Sequence, residues 1–507
     1  MGKQRPTSLR CLVALLVGAS TPLAFAPVGW SVVSIISLVV LFWLWESDTP
    51  RRAAQIGFCH GFGMFSVGVS WVFVSLHTYG NMPAPMAGSV VLVFVVILAV
   101  FPAMVGYLYR WFGRSRDDSA ALVFGAALWV LMEWIRGWIL TGFPWLSLGY
   151  SQTQSPLLGV APLMGVYGVS LAVAFSAVCV LRIWRTSNRG RIAAALALAT
   201  VWMIAWGLGR IVWVEPHGEP VRVALVQGNV GLNDKWAPGR AVAIRDLYIS
   251  QSAKHRDRDL IVWPESAIPL YIDELSIEFW GSLREHPADF LFGVLERHTE
   301  SGRLRYYNSV VGLGATTGVY RKRHLVPFGE YLPLKSVLSW LLEYLRIPMS
   351  DFSAWTDDQS PLIVAGHPVG VTVCYEDGFV EEVLEAMPSA SILVNVSEDA
   401  WFGDSLAPHQ RVQMAQMRAR EVARPMLRSA NTGVSAVIDH LGRVVAQSPQ
   451  FEPWVLTGSV QPMMGSTPFA AFGNLPLLIL LGLLTVVTIA IGPARRFLRR
   501  GRCLHQE

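Results

Sequence analysis

An α-helical membrane domain of eight spans joined to one α/β domain is the fold class that the sequence predicts, and three observations predict it. Of the 507 residues, 52% are hydrophobic and 15% charged, with a mean hydropathy of +0.41, too apolar for an ordinary soluble enzyme. The apolar residues gather into runs long enough to cross about 30 Å of hydrocarbon as helices. Between about 215 and 465 the runs shorten to strand length and alternate with helical patterns, the mark of a layered α/β domain.

The eight runs cover residues 10–26, 28–46, 55–76, 85–109, 118–140, 157–181, 192–213 and 467–492. The first two are joined by a tight turn containing Pro27. Lys3, Arg5 and Arg10 ahead of an apolar run ending in Ala24-Phe25-Ala26 also have the form of a cleavable signal peptide. Pro27 directly after that position argues against cleavage, and a second apolar run follows at once, so the segment is expected to stay. Arginine and lysine mark the cytoplasmic ends of spans. Here they fall at Lys3, Arg5 and Arg10; Arg51 and Arg52; Arg110, Arg114 and Arg116; Arg182, Arg185, Arg189 and Arg191; and Arg495 through Arg502. The opposite short loops, near 27, 77–84 and 141–156, carry none. Both termini are therefore expected in the cytoplasm and the α/β domain outside it. The domains follow: a membrane domain over 1–214 with seven spans, the α/β domain over 215–465, and the eighth span with a basic tail over 466–507.

A pI near 9.0 raises nucleic acid as a partner. Placement of the basic residues at span ends is better explained by topology and anionic headgroups, so no nucleic-acid partner is expected. The sequence holds no Gly-rich phosphate loop and no zinc-spaced Cys/His cluster, and no metal or organic cofactor is expected. Glu133 and Arg136, one turn apart, are the obvious charged pair within the spans. A transporter needs charges or broken helices at mid-membrane, whereas this pair falls near a span end, where a structural ion pair suffices.

In the α/β block, strand-like runs lie at 221–227, 259–264, 289–296, 307–314, 362–373, 391–396 and 434–438, with helical patterns near 239–254, 376–387 and 408–424. Polar residues collect where these strands end. Asp259-Leu260-Ile261-Val262-Trp263-Pro264-Glu265 ends in a carboxylate. Lys322 precedes a Pro/Gly turn, with Glu330 after it. Val371-Thr372-Val373-Cys374-Tyr375-Glu376 carries the single cysteine of the block, the other four being Cys11, Cys59, Cys179 and Cys503. An unpaired thiol at a strand end is either a small buried core residue or a nucleophile. A carboxylate within reach of the thiol takes its proton as it attacks, a position open to Glu265. An ammonium stabilises the oxyanion that attack on a carbonyl creates, a position open to Lys322. Glu330 and Glu376 either orient the lysine or raise the base towards neutrality. Taken alone, Glu265 or Lys322 fits a surface salt bridge or a solvated charge better, and Arg321 and Arg323 flank Lys322 so closely that a plain cationic face accounts for all three.

Trp263-Pro264-Glu265-Ser266, the Lys322 to Glu330 segment and Cys374-Tyr375-Glu376 resemble, in order and separation, the three signature regions of the nitrilase superfamily. Its members have an αββα sandwich and a Glu-Lys-Cys triad. The fusion to eight spans, His324-Leu325-Val326-Pro327-Phe328-Gly329-Glu330-Tyr331, Asn395-Val396-Ser397-Glu398-Asp399-Ala400-Trp401-Phe402-Gly403-Asp404-Ser405, Arg424-Pro425 and Asn431-Thr432-Gly433 resemble more closely its bacterial apolipoprotein N-acyltransferase branch. So do Glu133, Arg136 and Gly142-Phe143-Pro144-Trp145. The resemblance spans nearly the whole chain and implies Cys374 as nucleophile, Glu265 as base and Lys322 as oxyanion partner, with Glu330 and Glu376 in support. It implies Trp236 near a substrate entrance, Tyr375, Asn395 and Ser397 around the pocket, and Trp401 and Phe402 as a membrane-side contact. Glu398 stands where the pattern leads one to expect a smaller residue such as Asn. The implied reaction is ping-pong. A phospholipid such as phosphatidylethanolamine gives its sn-1 acyl chain to Cys374 as a thioester. The α-amino group of a diacylglyceryl-modified N-terminal cysteine of an apolipoprotein then takes it. The implied setting is the bacterial inner membrane, among membrane lipids, as a monomer. A membrane-tethered amidase or nitrilase that hydrolyses a C–N bond with the same triad is the alternative. A hydrolase of small polar substrates gains little from eight spans.

Overall fold

The structure is a computed structural model that describes residues 6–46, 49–112, 119–300, 302–331 and 351–486. It divides into two compact units, one of Met1–Ser70, Gly88–Ile211 and Asn474–Glu507, the other of Trp71–Ala87 and Val212–Gly473.

The first unit is helical. Among the described residues, five helices are long and apolar enough to cross a membrane: Thr7–Ala24, Ala84–Phe112, Ala120–Thr141, Pro156–Arg185 and Asn188–Leu208; they become six if Pro50–Gly68 and Trp71–Tyr79, the latter assigned to the second unit, count as one bent span. That is the composition of a membrane protein. The run at 28–46 yields a helix of only 14 residues, Val32–Trp45, about 21 Å long and short of the hydrocarbon thickness. The run at 467–492 is broken at Gly473, whose φ is 55°, and continues as an apolar helix over Leu475–Val486; residues 487–492 lie outside the described residues. So do Lys3, Arg5, Arg114, Arg116, the Arg495 to Arg502 cluster and Cys503. Small residues let these helices touch backbone to backbone: a Cβ on Gly63 would lie 2.2 Å from the Leu15 carbonyl oxygen. Glu133 and Arg136 are buried. Glu133 accepts from Trp129 Nε1 at 2.9 Å and Leu148 N at 3.0 Å, and Arg136 donates to the Phe143 and Trp145 carbonyls at 2.6 and 2.5 Å. The pair thus ties the loop after its helix.

The second unit is built on two main sheets, and its strands are β1 (Val214–Pro216), β2 (Val221–Gln227), β3 (Leu260–Val262), β4 (Ile268–Tyr271), β5 (Asp289–Glu300), β6 (Arg303–Leu313), β7 (Thr317–Arg321), β8 (Leu362–Val364), β9 (His367–Val373), β10 (Ile392–Ser397), β11 (Met426–Ala430), β12 (Ala436–Ile438), β13 (Val444–Gln447), β14 (Trp454–Val460) and β15 (Met463–Gly465). One sheet runs β14-β2-β3-β5-β6-β7 with β4 beside β5, the other β13-β12-β11-β10-β9-β8, and β1 pairs with β15. Alternate residues of β2 explain the layering: Val221, Val223 and Leu225 join Val371, Val373, Val394 and Val396 in a core between the sheets. Ala224 and Val226 face the other way, against Ile244, Tyr248 and Phe279 of helices Ala241–Ser252 and Ile277–Arg284. On the far side, Leu393 and Met426 pack on Val412, Ala415 and Ala419 of helix Leu406–Val422. Strands covered on both faces read as continuous apolar runs, and the result is four layers, helix, sheet, sheet, helix.

Two expected elements differ. The run at 362–373 is a hairpin, because Ala365 and Gly366 take φ of 50° and 73°, the paired positive values of a tight two-residue turn. The helix expected from 376 starts only at Val380, after a 3-10 turn over Cys374–Gly378.

Candidate active site

The ends of β3, β7 and β9 bring Glu265, Lys322 and Cys374 together. Past β3 the chain continues alongside β5, with Trp263 N donating to the Leu291 carbonyl at 2.8 Å and Gly293 N to that of Pro264 at 3.2 Å. Trp263 is fully buried among Tyr248, Phe290 and Phe292. Gly293 permits the approach, since a Cβ there would lie 2.4 Å from Ser266 N. Glu265 is thus turned inward on a rigid support. Its Oε1 accepts from Asn308 Nδ2 at 2.7 Å and its Oε2 from Glu398 N at 2.8 Å.

Lys322 is 1% exposed. Its Nζ lies 2.8 Å from Glu330 Oε1 and 3.5 Å from Glu265 Oε1. The turn that follows returns Glu330 to it: Glu330 N donates to the Val326 carbonyl and Val326 N to Glu330 Oε2, at 2.9 and 2.8 Å. Both flanking arginines point elsewhere. Arg321 is held by both oxygens of Glu296 at 2.6 and 2.7 Å, and Arg323 pairs with Glu385.

Cys374 has a φ of 50°, a left-handed conformation that is rare outside glycine and costs about 1–3 kcal/mol. It lifts the thiol out of the strand direction at the tip of β9. Glu376, with no exposed surface, holds this elbow. It accepts from Val373 N at 2.6 Å, Arg323 N at 2.7 Å, His324 N at 3.0 Å and the Tyr320 hydroxyl at 3.1 Å. It therefore fastens the cysteine's turn to the lysine's loop without touching the lysine. A glutamine there turns an N–H₂ towards two of those donors. We expect Glu376→Gln to destabilise the folded chain by about 2–3 kcal/mol, read as a lowered thermal midpoint in detergent.

Burial pushes the Cys374 thiol up to about 11, aided by the nearby Glu265 and opposed by Arg411 and Lys322. Burial alone would also raise Glu265, but the Lys322 ammonium and hydrogen bonds from Cys374, Asn308 and Glu398 N hold it below the usual carboxylate range. For Lys322 burial opposes the charge, and Glu330 and Glu265 outweigh it, so the amine is raised. The resting state is then a neutral thiol, an ionised Glu265 and an ammonium. Such a set can attack a carbonyl, pass the thiol proton to the carboxylate and hold an oxyanion.

Around this centre, Asn395 Nδ2 donates to Thr372 Oγ1 and the Cys374 carbonyl at 3.0 and 3.1 Å, and Ser397 Oγ lies 3.7 Å from Cys374 Sγ. The Tyr375 ring packs edge-on against Phe379 at 4.8 Å. Trp401 and Phe402 occupy a 3-10 turn and face Tyr79 and Trp71 of the same unit, with ring centroids at 6.3 and 4.9 Å. Trp236 is half-buried at the end of the short helix Leu232–Lys235, and none of the cluster's hydrogen bonds among the described residues involves it. Its neighbour Lys235 does enter the cluster. Buried, it pairs with Glu398 and donates to the Glu265 carbonyl at 3.1 Å, which explains why a glutamate is accommodated at 398. Asn431 Nδ2 completes that carboxylate at 2.9 and 3.1 Å.

Sequence reasoning missed Lys235, Asn308, Asp377, Arg411 and Arg428. For Arg428 the signal was a charged side chain inside an apolar run, Met426-Leu427-Arg428-Ser429-Ala430. Among the described residues no group of His, Cys, Asp and Glu is arranged to hold a metal ion.

Two facing sheets with helices outside them, and a Glu-Lys-Cys cluster at the strand ends, define a carbon–nitrogen hydrolase domain. Residues 222–469 match the family described as carbon-nitrogen hydrolase, and residues 17–179 match the apolipoprotein N-acyltransferase N-terminal domain. Over 470 residues the chain is 45% identical to the apolipoprotein N-acyltransferase of Methylococcus capsulatus, covering 92% of this chain and 93% of that one. It is 44% identical over 482 residues to that of Nitrosomonas europaea, with 94% and 96% covered. With that of Coxiella burnetii the identity is 39% over 474 residues, with 92% and 97% covered. The chain belongs to the apolipoprotein N-acyltransferase family.

Proposed function

We propose that this enzyme moves a fatty acyl chain from a membrane phospholipid to the N-terminal amine of an apolipoprotein, through a thioester on Cys374. The observation that carries the reading is a buried thiol beside an ionised Glu265 and the Lys322 ammonium, in a chain alike to N-acyltransferases over nine-tenths of its length. Glu265 takes the thiol proton as Cys374 attacks the ester carbonyl, and returns it to the departing lysophospholipid oxygen. Lys322, fixed by Glu330, stabilises the oxyanion. The α-amino group of a diacylglyceryl-cysteine then attacks the thioester, and a triacylated lipoprotein leaves. Tyr375, Asn395 and Ser397 shape the pocket, Trp236 borders the substrate entrance, and Trp401 and Phe402 make a lipid-side contact.

The finer setting belongs to the same proposal. The donor is phosphatidylethanolamine-like. The chain sits as a monomer in the inner membrane with eight spans and both termini in the cytoplasm. Residues 1–214 and 466–507 serve as the membrane part, and 215–465 lie outside the cytoplasm. The test is incubation with an acyl-labelled phospholipid followed by mass analysis of the intact protein. An adduct of one acyl chain is expected, lost on adding a diacylglyceryl-cysteinyl peptide with transfer of label to its amine. Release of free fatty acid without transfer would instead support a hydrolase, and no adduct at all would sink the thioester route.

A further inference from the structure

Among the described residues, Arg411 is the cation that hydrogen-bonds the Cys374 sulfur itself, and the acyl-transfer scheme leaves it without a part. It comes from helix Leu406–Val422, behind the elbow. Its Nη1 lies 3.3 Å from Cys374 Sγ, 2.8 Å from Ser397 Oγ and 3.3 Å from Asp399 Oδ1. Its Nη2 donates to the Cys374 carbonyl and, at 2.8 Å, to Asp377 Oδ1. Arg428 binds the same two aspartates from the neighbouring strand, at 2.9 Å to Asp377 and 2.8 Å to Asp399. All four side chains are at most 1% exposed. The network therefore fixes the guanidinium in place, with one N–H directed at the reacting atom.

We propose that Arg411 acts on the sulfur as a leaving group, holding the negative charge on Sγ as the thioester is cleaved by the acceptor amine. This rests on the acyl-transfer reading. In that step the amine nitrogen forms a bond to the thioester carbonyl carbon, the carbonyl electron pair moves to oxygen and the amine proton passes to Glu265. Collapse re-forms the carbonyl and breaks the C–S bond, whose electron pair stays on Sγ until Glu265 returns the proton. Before the amine proton is lost, the tetrahedral intermediate can instead expel the neutral amine. Burial and Glu265 disfavour a charged sulfur, and Arg411 is the foremost cation that offsets them, so without the guanidinium Sγ would be a poorer leaving group against the amine. In the first half-reaction the leaving atom is oxygen, so the demand on Arg411 is smaller. The other charged groups that face the sulfur are Glu265, Lys322 and Asp399. Both acids oppose a thiolate, and the lysine is engaged by Glu265 and Glu330.

The test uses the full chain in detergent, with Arg411→Gln and Arg411→Lys. Thioester formation from labelled phospholipid and its discharge by a diacylglyceryl-cysteinyl peptide are timed separately. For Arg411→Gln, discharge is expected to slow by roughly 10- to 100-fold and formation by less than about threefold, so adduct accumulates. The lysine variant, which keeps a charge towards both aspartates, is expected to fall between. Alkylation of Cys374 by iodoacetamide near about pH 8.5, where a free thiol titrates, is read on its own peptide and is expected to slow by about tenfold in the glutamine variant. Equal slowing of formation and discharge, with wild-type alkylation per folded molecule, would overturn the proposal and leave Arg411 structural. If Arg411→Gln does not fold, the lysine variant alone decides by the same split. If the wild type forms no adduct, the acyl-transfer reading fails, while the alkylation rates still report whether Arg411 holds the sulfur.

Discussion

Cys374→Ala is expected to end acyl transfer, by a factor on the order of 10⁵–10⁶, and to leave no acyl adduct by intact mass. The size follows from the mechanism. Without the sulfur no covalent intermediate forms, and the remaining groups have no nucleophile to activate. The same substitution separates the two readings of a lone strand-end cysteine. Alanine carries a Cβ like cysteine, so the left-handed backbone at 374 is no more strained in the variant. Arg411 keeps its bonds to Ser397, Asp399, Asp377 and the 374 carbonyl. The folded state is therefore expected to lose only about 1 kcal/mol, the value of a small buried group. A stable variant with no adduct marks a nucleophile. A variant that keeps the adduct moves the thioester to another residue, and one that unfolds returns Cys374 to the core.

Much of this centre was legible because its three members stand at strand ends, where an apolar run gives way to a charge. Two of the strands that carry them read clearly for the same reason that they are buried: β3 and the second half of β9 bury both faces, so their runs are nearly continuous. The strands that were missed break that rule. β11 carries Arg428, whose charge looks foreign to a core until Asp377 and Asp399 are seen to meet it. β7 and β14 each contain a glycine, which weakens a strand pattern. The hairpin of β8 and β9 read as one strand because its turn, Ala365-Gly366, is itself small and apolar. Partners supplied from far along the chain leave no local mark at all. Asn308 reaches Glu265 across 43 residues and Lys235 reaches Glu398 across 163. The same limit applies to the start of the helix after Cys374, delayed by a carboxylate that fastens Val373, Arg323 and His324. Hydropathy found the long apolar helices, but the 14-residue helix Val32–Trp45 and the break at Gly473 are set by local backbone and packing that hydropathy does not see.

Lys322→Met is expected to slow thioester formation by about 10²–10³-fold, the usual loss when one oxyanion donor is removed, and to shift its pH dependence in a defined direction. The ammonium lies between Glu330 at 2.8 Å and Glu265 at 3.5 Å, and it opposes the effect of burial on Glu265. Methionine removes that opposition while keeping the site dry, so the Glu265 carboxyl rises above its ordinary value near ~4.3. A base must be ionised to accept the thiol proton, and the acid limb of the rate profile moves to higher pH. Stability changes sign with it. In the wild type Glu265 is held below its unfolded value, so its contribution is present above about pH 4.3 and is lost as pH falls through the lower, folded value. In the variant the folded value is the higher one. Its contribution is then full below about pH 4.3 and disappears as pH rises. Two carboxylates left without their buried cation are expected to cost about 3–5 kcal/mol at neutral pH, and thermal unfolding across the acid range should show that loss shrinking as pH falls. Lys322→Arg, which retains the charge, should keep the wild-type acid limb even where its rate is reduced. A methionine variant with an unmoved acid limb and a normal rate would remove Lys322 from the electrostatics of both the base and the oxyanion.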